Sequence, residues 1–131
     1  MTEWKFAVRN SSQQTIRIMA KTLESKTKLN PNLPLEIGPD RDTCLIFSTT
    51  DPIASSQGGG IKYATLSAGE TFTSYFYVFH GGNVGLSNLN YEDAKRRAET
   101  REAIINVGNI LRVVASCDSS NEGVIDIKDA K

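Results

Sequence analysis

Cysteine, histidine and tryptophan are scarce in this 131-residue chain, which has two Cys, one His and one Trp. The two thiols, Cys44 and Cys117, lie inside apolar runs, so the sequence predicts small buried hydrophobes rather than a disulfide framework. A single histidine, His80, and the lack of any Cys-x-x-Cys leave a protein-built zinc site short of ligands, and no metal or other cofactor is expected. No stretch approaches the ~20 apolar residues of a membrane-spanning helix, and the first residues show no basic segment followed by an apolar one. The chain therefore reads as cytoplasmic. An excess of one charge is also missing: 15 Lys plus Arg balance 15 Asp plus Glu, which leaves no overall field to attract nucleic acid. The same neutrality removes a brake on self-association, so a homo-oligomer, dimer or tetramer, is expected.

What is present is alternation. Residues 3–9 place Trp4, Phe6 and Val8 on one face and Lys5 and Arg9 on the other, the period-two pattern of a half-buried strand. The turn residues of 10–13 and renewed alternation over 15–20 predict an opening antiparallel hairpin. Three prolines (Pro31, Pro34, Pro39) make residues 21–42 read mostly as loop around a short segment at 33–37. Strands are predicted at 44–48, 61–66, 71–80, 109–117 and 123–128, the last two joined by a turn at 118–122. In the aromatic strand, Phe72, Phe76 and Val78 share one face and Tyr75, Tyr77 and Phe79 the other. One face belongs to the core; the second is read first as packing beneath a helix.

That helix is predicted over 91–106, capped by Asn90, with Glu92 and Asp93 in its first turn and Gly108 ending it. Tyr91, Ala94, Ala98 and Ile105 form its apolar stripe, and its charged residues read as a solvated surface. The fold class is accordingly mainly β: a two-sheet antiparallel β-sandwich, one domain over 1–131, with one α-helix across one face.

Catalysis is not expected. His80 is the one neutral-pH base, Gly81-Gly82 follow it, and no nucleophile elbow or paired carboxylates accompany it. Gly58-Gly59-Gly60 precedes a strand instead of a helix, so it is no phosphate loop. Together with Ser55, Ser56 and Gln57 it reads as a turn whose hydroxyls and amides suit a hydroxyl-rich ligand.

The stretches Gly59-Gly60-Ile61-Lys62-Tyr63, Gly69-Glu70-Thr71-Phe72-Thr73, Phe76-Tyr77-Val78-Phe79-His80 and Arg97-Ala98-Glu99-Thr100-Arg101-Glu102 resemble the fungal fruit-body lectins, over about half the chain from residue 55 to 103. The resemblance implies an actinoporin-like sandwich that binds galactosyl-N-acetylgalactosamine at one site and N-acetylglucosamine at another, with a part in defence. In the first site the family's serine matches Ser55, Ser56 replaces a glycine and His80 an asparagine. In the second the family's arginine falls on Arg97, but its aspartate falls on Leu86 and its tyrosine near Gly108, so that site is expected to be lost or remodelled. The candidate glycan-binding residues are Ser55, Ser56, Gln57, His80 and Asn83 at one loop-rich end, and Arg97 on the helix.

Two alternatives accompany this reading. The chain also resembles actinoporins, though only three residues precede Trp4, too few for their amphipathic pore-forming segment. It resembles aegerolysins in its abrupt first strand and Gly-rich turn, which implies binding of membrane lipid headgroups through exposed Tyr75, Tyr77 and Phe79. A purely structural protein would use those aromatics to pack against another copy.

Overall fold

The computed structural model describes residues 2–23, 27–50, 58–67, 70–79 and 82–130. Among the described residues, eight strands precede the helix: β1 (Thr2–Asn10), β2 (Thr15–Leu23), β3 (Thr27–Asn30), β4 (Leu35–Ile37), β5 (Arg41–Thr49), β6 (Gly58–Ser67), β7 (Glu70–Phe79) and β8 (Val84–Ser87). The helix α1 (Tyr91–Arg96) leads to β9 (Glu102–Val107), β10 (Leu111–Cys117) and β11 (Glu122–Asp129). They form a six-stranded sheet, β3-β5-β1-β11-β10-β9, and a five-stranded sheet, β4-β2-β6-β7-β8. This is the expected mainly-β sandwich with one helix on one face.

The inward parity of each strand supplies the core. Trp4, Phe6 and Val8 of β1, with Leu45 and Phe47 of β5, face Ile16 and Ile18 of β2 and Phe76 and Val78 of β7. Phe6 lies edge-on to Phe76 at 4.9 Å between ring centres and to Phe47 at 6.3 Å, so three rings tie the two sheets together. Such pairs add about 0.5–1.5 kcal/mol each beyond the area they bury. Space for Phe6 comes from its neighbour Gly123 on β11, where a Cβ would lie 2.2 Å from the ring.

The opening is not a hairpin. β1 and β2 belong to opposite sheets, and β1 pairs antiparallel with β5 and parallel with β11. The corner between β1 and β2 is built on Asn10, which is 1 % exposed. Its Nδ2 donates to the carbonyls of Gln14 (2.8 Å), Ile37 (2.9 Å) and Gly38 (3.1 Å), and its Oδ1 accepts from the Ser12 backbone N–H and hydroxyl. Both apolar faces can then turn toward one core from opposite sides, an arrangement that local turn chemistry does not distinguish from a hairpin.

Three further expectations are corrected. The described residues of 21–42 hold more strand than loop, because β2 runs to Leu23 and β3 and β4 flank Pro31 and Pro34 as short edge strands, where a missing N–H disrupts no inner ladder. The helix ends at Arg96 instead of reaching 106, since Ala103, Ile105 and Val107 alternate inward on β9, paired with β10. Gly108 serves the β9–β10 turn, at φ 60°, and does not end a helix. Cys44 is exposed, because its parity on β5 points away from the core; Cys117 is buried as expected.

Candidate functional site

The helix and the sheet face beneath it make the best-defined constellation of polar and aromatic side chains among the described residues. Asn90 caps α1 as predicted, its Oδ1 accepting from the Asp93 N–H at 2.8 Å. Ala94 and Ala98 are buried toward β8, and the approach is so close that a Cβ on Gly85 would meet the Ala94 carbonyl oxygen at 1.9 Å. The small residues of the predicted stripe therefore do bring the helix onto the sheet.

Under the helix lies the second aromatic face of β7. Tyr77 is 2 % exposed, with Lys95 Nζ 5.8 Å from its ring centre. Tyr75 is half-buried and meets Tyr91 edge-on at 5.0 Å. Burial, with Tyr75 beside it, raises the Tyr91 phenol above its ordinary pKa. Tyr75 and Tyr77 are thus not the exposed lipid-facing aromatics of the aegerolysin reading, because α1 covers that face; the side chain of Phe79 lies outside the described set.

Asp93 departs from the expected solvated surface. It is buried, its Oδ2 accepts from Ser87 Oγ (2.6 Å) and Arg97 Nε (2.7 Å), and its Oδ1 accepts from Arg96 Nη2 (2.5 Å). Hydrogen bonds from Ser87, Arg97 and Arg96 hold the carboxyl well below the usual carboxylate range. A carboxylate so firmly ionised is a fixed anchor for two guanidiniums and is poorly suited to exchange protons near neutral pH. Arg97, anchored through Nε, keeps 62 % of its side chain exposed, so a ligand can reach it.

Along α1 runs an open groove of about 450 Å³ lined by Asn90, Glu92, Lys95 and Arg96. Its size falls in the range of small-ligand sites, and it offers an amide, a carboxylate and two cations. A smaller groove of about 290 Å³ lies at the β9–β10 turn, between Asn106, Gly108, Asn109 and Ala130.

Of the residues singled out from sequence, Ser55, Ser56, Gln57 and His80 lie outside the described residues. Asn83 is half-buried immediately before β8, and Arg97 follows the last turn of α1, which packs on β8. Leu86 points into the core, so the position aligned with the second lectin site's aspartate has no access to a sugar. Sequence reasoning missed the Ser87–Asp93 pair. The available signal was Asp93 three residues after the cap, where a carboxylate sits at the helix start and, on a short helix, above the sheet.

No family model matches this chain, and no curated protein matches it. Among solved structures, 15 chains match. One is the crystal structure of lipid binding protein Nakanori, with a TM-score of 0.63 at 9 % sequence identity, covering 98 % of this chain and 71 % of the other. At that identity the likeness concerns the fold.

Proposed function

We propose that this chain is a non-catalytic binding module for the sugar-bearing headgroup of a membrane lipid. The observation that carries the reading is the fold shared along 98 % of the chain with a lipid binding protein, which joins the lipid partner to the glycan partner suggested by the sequence resemblance. One described surface is open to a headgroup, and a second is proposed from sequence alone. The α1 groove presents Asn90, Glu92, Lys95 and Arg96, with Arg97 next in the chain at the C-cap; these groups match the hydroxyls and charges of such a ligand. The loop-rich end proposed from sequence carries Ser55, Ser56, Gln57, His80 and Asn83. Non-catalytic action is supported by the one strongly perturbed carboxylate among the described residues, Asp93, being tied to Ser87, Arg96 and Arg97.

Flotation with phosphatidylcholine vesicles tests this directly. Vesicles containing a lipid that ends in galactosyl-N-acetylgalactosamine are expected to carry the protein to the top of the gradient, and the free disaccharide should release it. Lys95→Glu with Arg96→Glu, compared with Ser55→Ala with His80→Ala, identifies the surface: a loss of about tenfold in affinity, or 1.4 kcal/mol, is expected in one pair only. Flotation on sphingomyelin vesicles that free sugar does not reverse would replace the glycan with the lipid head itself, the second reading that the likeness to a lipid binding protein favours. No flotation on either vesicle would overturn both.

A further inference from the structure

We propose that the outer face of the six-stranded sheet is where a second copy of this chain docks. The helix packs on the other sheet, and among the described residues no element lies across this face. Strand register sets what it presents. Cys44, Ala7 and Val124 stand side by side on β5, β1 and β11, and Val114 stands beside Ile104 on β10 and β9. Ala7, Val114 and Val124 are half-buried, Cys44 is exposed, and Ile104 is 53 % exposed, a large hydrophobe left in water. Ser116 stands beside Val124 and Asp126 beside Val114, so the apolar residues form two patches that meet on the diagonal from Val124 to Val114.

Charge complementarity points to the occupant. Beside these patches the two signs alternate: Arg9 of β1 stands between Asp42 of β5 and Asp126 of β11, in the same row as Val114 and Ile104, and Lys5 stands beside Glu122. A surface of mixed sign can satisfy its own charges when rotated by a two-fold axis, whereas a differently charged partner or an anionic bilayer would meet repulsion from half of them. The chain's balance of 15 positive and 15 negative residues means that pairing two copies brings together no net charge.

Area permits it as well. Six strands about 4.8 Å apart, with outward side chains along about 20 Å of strand, offer about 600 Å² per copy, or about 1,200 Å² in all, at the lower end for a specific interface. Dimerisation here leaves α1 and its groove open on the far side of each copy, so the two grooves face opposite ways and could bridge two surfaces but not share one.

Sedimentation velocity over a concentration series is the test, with Ile104→Arg and Val124→Arg, both outward positions, as variants whose folding is checked by circular dichroism. The mass is expected to double with concentration for the native chain and to stay single for both variants. Alkylation of Cys44 provides a reading on the native protein: its rate should fall at least about tenfold once the dimer forms. A native chain that stays monomeric overturns the proposal. So does a dimer that both folded variants retain, or one in which Cys44 reacts as fast as before. Vesicle binding by a monomer that is lost in Ile104→Arg would hand the face to lipid instead.

Discussion

Gly85 and Ala94 meet more closely than any side chain would allow: a Cβ on Gly85 would stand 1.9 Å from the Ala94 carbonyl oxygen and 3.0 Å from the Ala98 nitrogen. The obstacle is backbone, so no rotamer change relieves it. Gly85→Ala should therefore lift α1 from β8 at a cost of about 1–3 kcal/mol or more, measured as a lower urea midpoint, with the Tyr75–Tyr91 contact loosening in parallel. An unchanged midpoint would mean that the helix is not held against β8.

Asp93 predicts a pH dependence. Its folded-state pKa is depressed, so its contribution is fully present above the unfolded value of about 4 and is lost as the pH falls below that toward the folded value. In Asp93→Asn, which has no carboxylate to ionise, the stability deficit relative to the native chain should be constant from about pH 5 to 8 and shrink below about pH 4. Urea titrations at three pH values check this; a deficit that grows on acidification would contradict the Ser87, Arg96 and Arg97 contacts.

Asn10 makes the β1–β2 corner through both ends of its amide. Asn10→Ala leaves the Ile37 and Gly38 carbonyls without this donor and is expected to cost about 1–3 kcal/mol. Asn10→Asp should be milder in acid than at neutral pH, because only the protonated carboxyl can donate a hydrogen bond to those carbonyls. Equal stability at both pH values would show that the donated bonds contribute little.

The two thiols should separate cleanly in the dilute protein. Cys44 is exposed, while burial, with Asp118 nearby, pushes the Cys117 thiol up to about 11. One thiol should react with a disulfide reagent at pH 8 promptly and the second after denaturation, since the thiolate is the nucleophile. Cys44→Ser is expected to abolish the fast phase.

Local pattern made much of this protein legible. Trp4, Phe6 and Val8 alternate with charged residues, and β1 follows; Asn90 precedes two acidic residues, and α1 starts there. The turn at 118–122 was equally readable, since the Asp118 carboxylate accepts from the Ser120 and Glu122 N–H groups. Residues 97–106 were harder. Their Ala, Glu and Arg favour helix, yet Ala103, Ile105 and Val107 also alternate, and pairing with β10 outweighs propensity. The candidate site was less legible than the fold, because Ser87 and Asp93 meet only when β8 and α1 have been laid against each other.

The sequence by itself determined where most of the strands form and which face of β1 is apolar, because alternation and capping act through neighbours a few residues apart. Which strands share a sheet was decided by tertiary structure alone: β1 beside β11, β1 and β2 on opposite sides of the core, and α1 over β7 and β8. The physical reason is that a strand's edges carry the same backbone donors and acceptors whatever its sequence. Pairing is therefore chosen by which apolar faces can be buried together, and here Phe6, Phe47 and Phe76 must all meet in one core.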